Sequence, residues 1–168
     1  MFVPLHDTNP LKKIRFQYVT VALIALNVAI YAIFQTGWFI PLADEDVTAF
    51  AVIPANLTAD SGGETAFFAT GAVLVPERLT LVTYMFLHGG WIHLIGNMLF
   101  LWVFGDNIED AMGHVRFIMF YLMCGIFAAL LHTYMLPHSD LPLIGASGAV
   151  AGVIAAYLIL HPRVKVWV

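Results

Sequence analysis

Apolar residues fall in four long blocks along the chain, and polar residues gather between them. The blocks run from about Phe16 to Phe34, Leu81 to Phe104, Phe117 to Leu136 and Leu143 to Leu160. Each comes close to the ~20 residues that a helix needs to cross a hydrocarbon core of ~30 Å. In lipid every backbone N–H and C=O must be paired internally, so the blocks predict four membrane-spanning helices. The first block follows Lys12, Lys13 and Arg15, as a secretory leader would. It has no small-x-small cleavage site and three more blocks follow, so it predicts a retained helix. An acidic loop of about 37–80 separates blocks one and two and carries Asp44, Glu45, Asp46, Asp60, Glu64 and Glu77. Its apolar patches, TAFAVIPANL and ETAFFATGAVLV, predict a segment lying partly in the membrane interface.

Composition sharpens this picture. The 168 residues are 61% hydrophobic and 11% charged, where soluble domains are about a quarter charged. A water-soluble fold of this size could not bury so much apolar surface, so the chain is predicted to be an all-α, polytopic membrane bundle. Only seven Lys and Arg are present and they form no long basic run, which argues against nucleic acid as a partner. The one cysteine, Cys124, excludes an internal disulfide and a cysteine-based zinc site. It falls in the middle of an apolar block, where it is expected to pack. Neither a cofactor nor a metal is expected.

The basic residues set the orientation. With the N-terminus in the cytoplasm, Lys12, Lys13, Arg15, Arg116, Arg163 and Lys165 all lie inside and only Arg78 lies outside. Residues 1–15 then form a cytoplasmic segment and residues 16–168 a membrane domain. The turn about Gly105–Arg116 is expected on the cytoplasmic side. The closing HPRVKVWV places three apolar residues after a basic turn, and reads as the first step of a fifth helix in a longer chain.

Polar side chains at membrane depth are costly and default to functional hypotheses. Ser147 lies 14 residues from His161, about 21 Å at 1.5 Å per residue, and so below the outer boundary of the core. His93 and Asn97 are spaced i, i+4 on one helix face at a comparable depth. Imidazole and amide both donate hydrogen bonds, which is the equipment for stabilising an oxyanion. They could equally act as interhelical glue. Ser147 sits in Gly145-Ala146-Ser147-Gly148, and Gly148 with Gly152 forms a G-x-x-x-G, which by itself signals close helix packing. A hydroxyl at a helix N-terminus also stands beside unpaired backbone N–H groups.

Taken together, these residues resemble the rhomboid intramembrane serine proteases. FLHGGWIHLIGNMLFLWVFGDNIEDAMGH is similar to the family's second helix, with its His-x-x-x-Asn at His93 and Asn97. GDNIEDAMG fits the family's Gly-x3-Glu-x3-Gly at Gly105, Glu109 and Gly113, and GASG its nucleophile motif. The likeness covers about residues 81–165. It implies four helices present of six, and cleavage of single-pass transmembrane substrates within or next to their membrane helix. Ser147 would be the nucleophile, with His93, Asn97 and the Ser147 N–H as oxyanion hole and Gly145 and Ala146 beside the substrate. The family's base is a histidine on a sixth helix, which these residues do not include; neither His88 nor His132 matches it. The likeness further implies a multi-pass protein of a bacterial inner membrane, with lipid and transmembrane proteins as partners. Ala151 stands where some members carry an aromatic residue, and the Trp-Arg pair of some members' first outer loop is absent, Arg78 coming nearest. Two other readings stay open: an inactive rhomboid-like protein that binds transmembrane helices, and a haem carrier using His88, His93 or His132. Without helices five and six, Gly145, Gly148 and Gly152 are expected to face lipid.

Overall fold

The computed structural model describes residues 6–7, 9–39, 47–58, 75–164 and 166–167. The elements are β1 His6–Asp7, α1 Tyr18–Ile30, α2 Pro54–Thr58, α3 Glu77–Thr83, α4 Trp91–Met112, α5 His114–Met135, α6 Ser147–Leu160 and β2 Val166–Trp167. A π turn, Tyr31–Gln35, extends α1, and a 3-10 turn, Tyr84–Phe86, extends α3. Helix α6 packs chiefly on α5 and α4, and α1 packs on α4. Among the described residues the chain is thus a helical bundle apart from a two-residue antiparallel pairing, β1 with β2, and an isolated bridge between Val52 and Leu143.

Among the described residues, two continuous helices, Tyr18–Gln35 and His114–Met135, are long and apolar enough to cross a membrane, and the bent pair Glu77–Phe86 with Trp91–Met112 makes a third candidate. Helix α6 is apolar but has 14 residues, about 21 Å, less than a full core. The surface of the bundle suits lipid: Ile92 of α4, Met123 and Phe127 of α5, and Leu158 and Ile159 of α6 are exposed.

Three boundaries differ from the sequence expectation. The block Leu81–Phe104 is not one helix, because the chain bends by 84° between Phe86 and Trp91. Leu87 is extended and Gly89-Gly90 follows, a sequence with little helix propensity. Helix α4 instead runs on through Gly105 to Met112, so the expected turn at 105–116 shrinks to Gly113. Gly113 takes φ +83, a conformation open to glycine, and lets α5 begin at once. Lastly, Val166–Trp167 pairs with His6–Asp7 rather than starting a helix, as suits alternating β-branched and aromatic residues.

The Gly-x3-Glu-x3-Gly motif explains how α4 can stay helical through charged residues. Gly105 lets α1 approach; a Cβ there would stand 3.1 Å from Thr20 Cγ2. One turn on, Glu109 is fully buried and caps α1: Val19 N–H, Thr20 N–H and the Thr20 hydroxyl all donate to its carboxylate, at 3.0, 2.8 and 2.7 Å. Its other oxygen contact is His114 Nδ1. The helix α1 has no cap of its own, since Gln17 makes no side-chain cap bond, so Glu109 supplies an N-terminal acceptor from a distant helix. Asp110 does the same for the segment before α1, accepting the N–H groups of Lys12, Lys13 and Ile14. Lys13 Nζ donates to Ala111 O at 3.0 Å.

These bonds place Lys12, Lys13 and Arg15 at the Gly113 end of the bundle, where Arg116 opens α5 and Arg163 follows α6. Lys165 lies outside the described residues, as do Asp44, Glu45, Asp46, Asp60, Glu64 and most of the second apolar patch. The first patch is described. Val52 pairs with Leu143 in an isolated antiparallel bridge, and Thr58 Oγ1 donates to Pro137 O at 2.7 Å. It therefore lies over the segment that leads into α6.

Candidate active site

The route into α6 is fixed from both sides. The bridge to Val52 holds Leu143, and Gly145 N–H donates to Tyr84 O at 2.9 Å. Tyr84 is itself anchored, its buried hydroxyl donating to Gly125 O at 2.7 Å. Gly145 adopts φ +116, which side chains rarely tolerate, and turns the chain into the helix. Ser147 is the first residue of α6 and its side chain is exposed. The first helical bond is donated by Val150 N–H to Ala146 O, so the amides of Ser147, Gly148 and Ala149 precede it. Such amides are free donors at the positive end of the helix dipole.

Ser147 faces a cavity of about 310 Å³ between α4 and α6. His93 and Asn97 line the same cavity, with Ile92, Gly96, Phe100, Val150, Ala151 and Ile154 completing an apolar wall. Helices α4 and α6 are therefore neighbours, and the three polar residues singled out from sequence converge. Asn97 is buried and donates one Nδ2 hydrogen to His93 O at 3.1 Å, leaving a second. His93 Nδ1 accepts a long hydrogen bond from Gly89 N–H at 3.4 Å; in the tautomer that this bond requires, Nε2 carries the hydrogen and can donate. The ring lies against Gly145, where a Cβ would stand 2.7 Å from Nε2. Among the described residues, no hydrogen bond joins Ser147 to a histidine.

Gly145 and Ala146 are both buried and stand behind the cavity, Ala146 with no exposed surface. The expectation that Gly145, Gly148 and Gly152 face lipid is corrected. A Cβ at Gly148 would meet Ala128 Cβ at 2.5 Å, and one at Gly152 would collide with Cys124 Sγ. The partner of this face is α5, whose small residues were hidden in the sequence by the large lipid-facing ones between them. Cys124 packs there, as expected of it. The His88 and His93 rings stand in a T-shaped arrangement with centroids 5.1 Å apart.

Sequence reasoning missed the wall residues Gly96 and Phe100, one turn apart on the His93–Asn97 face, although their i, i+4 spacing was readable. It also missed Gln35, whose amide holds the His88 backbone. Nothing in the sequence links those two positions.

A family model described as the Rhomboid domain matches residues 76–168, which is more than half of the chain. Among curated relatives, Rhomboid-like protein 11, chloroplastic, of Arabidopsis thaliana is 38% identical over 80 residues, covering 48% of this chain and 28% of its own length. Rhomboid protease GluP of Bacillus subtilis is 35% identical over 103 residues, covering 61% and 19%. Rhomboid protein 1, mitochondrial, of Saccharomyces cerevisiae is 30% identical over 96 residues, covering 55% and 28%. The chain thus spans less than a third of the length of these relatives. No solved structure matches. The matched segment contains α3 to α6 and with them Ser147, His93, Asn97 and the Glu109 cap, and by that match this integral membrane protein belongs to the rhomboid family.

Proposed function

We propose that the protein is an intramembrane serine endopeptidase that cuts single-pass transmembrane proteins within or next to their membrane helix. One observation carries this reading: an exposed serine at a helix N-terminus shares a single cavity with an imidazole and an amide. Ser147 Oγ attacks the scissile carbonyl carbon. The oxyanion that forms is met by the Ser147 N–H, the His93 Nε2–H and the free Asn97 Nδ2–H. Collapse expels the amine, and water then hydrolyses the acyl-enzyme. The serine needs an adjacent base to lose its proton. We assign that role to a histidine outside residues 1–168, which returns the proton to the leaving amine. The partial coverage of the relatives' lengths supports this assignment.

In the membrane, we place the Gly113 end of the bundle on the cytoplasmic side, or its organellar equivalent, and the Ser147 end on the opposite side. The clustering of Lys12, Lys13, Arg15, Arg116 and Arg163 at the Gly113 end supports this orientation. Helix α6, α1, α5 and the α3–α4 unit then serve as the four spans of a six-helix protein. The short α6 starts below the outer surface, so water must reach Ser147 through the cavity.

Asn97→Ala in the full-length protein tests the chemistry. Turnover of a transmembrane substrate in proteoliposomes should fall by about 10²–10³-fold with KM little changed. Normal turnover per folded molecule, with folding impaired, would instead make Asn97 interhelical glue. Binding of transmembrane helices without cleavage by wild-type protein would mark an inactive member of the family.

A further inference from the structure

The π turn that ends α1 delivers one side chain to the break between α3 and α4. Thr36 N–H reaches back five residues to Tyr31 O, and the wider turn carries Gln35 toward His88. There the amide makes two bonds to one residue. Gln35 Nε2 donates to His88 O at 3.0 Å, and His88 N–H donates to Gln35 Oε1 at 3.0 Å. This is the pattern a neighbouring strand would offer, supplied by a side chain to backbone that no helix can satisfy. Such pairing is needed because His88 is 2% exposed, and unpaired buried amides are costly.

The held residue does not line the cavity itself but packs on His93, which does. Neither His88 ring nitrogen makes a well-formed hydrogen bond, the Phe86 backbone being the polar group beside it. Its ring stands edge-on to the His93 ring, at 5.1 Å and 66°. His93 also meets the Gly145 backbone with no side chain between. The His93 imidazole is thus in contact with both the His88 ring and Gly145. Loss of either contact would free the ring to turn, and Nε2 would no longer be aimed. We infer that Gln35 and His88 are positioning residues for the His93 donor: Gln35 fixes the His88 backbone, and the His88 ring fixes the His93 ring. This inference rests on the proposed proteolytic reading for its effect on turnover, but the geometric claim can be read without turnover.

The test uses full-length protein with 15N-labelled histidine in detergent micelles. Ring-nitrogen shifts report which His93 nitrogen carries the proton, and turnover is measured on the same preparations. Gln35→Met keeps the side-chain length and removes both bonds. It should mix the two His93 tautomers and lower kcat by about 10–100-fold, the usual scale for a misplaced group, with KM within about twofold. His88→Ala should do the same. His88→Phe, which restores an aromatic edge, should recover a single tautomer and most of the turnover. A sharp, wild-type His93 tautomer in both Gln35→Met and His88→Ala would overturn the inference, whatever the turnover. So would loss of turnover in His88→Phe equal to that in His88→Ala. Should Gln35→Met fail to fold, the two His88 variants decide by the same spectra. If wild-type protein cleaves nothing, the proteolytic reading fails, and the tautomer spectra still decide the positioning claim.

Discussion

The ring of His93 occupies the place where a side chain at Gly145 would stand, 2.6 Å from its Cε1 and 2.7 Å from its Nε2. One residue without a side chain therefore joins the entry to α6 to the face of α4. It also explains the glycine before the serine more directly than helix packing does, since Gly148 and Gly152 pack on α5 instead.

Gly145→Ala should accordingly damage the site through His93. The substitution meets the ring and also requires φ +116 of a residue with a Cβ. We expect a loss of turnover of about 10²-fold in full-length protein, as for other small displacements of a catalytic group. Strain at such a position costs about 1–3 kcal/mol, so some stability should be lost as well. Steady-state kinetics beside an unfolding curve measure the two effects. Unchanged kcat would show that the approach of His93 to Gly145 is incidental.

Glu109→Ala should be among the most destabilising single changes in the chain. It strands Val19 N–H, Thr20 N–H and the Thr20 hydroxyl in a buried place. Each unsatisfied group costs about 1–3 kcal/mol, so the loss should reach several kcal/mol. Unfolding in mixed micelles measures it. A loss under about 1 kcal/mol would mean that water replaces the cap.

Asp110 should be what holds the segment before α1 in place. Its carboxylate accepts the N–H groups of Lys12, Lys13 and Ile14. Asp110→Asn leaves one acceptor oxygen in place of two, so protection of these three amides against hydrogen exchange should fall. Unchanged protection in the variant would contradict the assignment.

Much of the site was legible because it depends on local spacing. His93 and Asn97 share a face by helical period, the count from His161 gave the depth of Ser147, and Gly145 marked the helix start just ahead of it. What stayed hidden depends on contacts between distant segments. Hydropathy saw one block from Leu81 to Phe104, because apolar residues continue through the bend; only Gly89-Gly90 marks it. It ended the same helix at Gly105, because the charges of Glu109 and Asp110 look like a loop until α1 and residues 12–14 are seen to absorb them. Gln35 was unremarkable, since its partner lies 53 residues away.

Orientation can be checked in cells. In a Cys124→Ala background, single cysteines in the Gly113 turn should resist an impermeant thiol reagent, while single cysteines at 47–58 should react. The reverse pattern would invert the bundle and put the clustered basic residues outside.

The most direct test of the central claim is reaction of Ser147 with a fluorophosphonate probe. Full-length protein in native membranes should label, Ser147→Ala should abolish the label, and, on the proposal that the base is a histidine outside residues 1–168, those residues alone should stay unlabelled. Label that survives Ser147→Ala, or folded full-length protein that never labels, would contradict the assignment of Ser147 as the nucleophile.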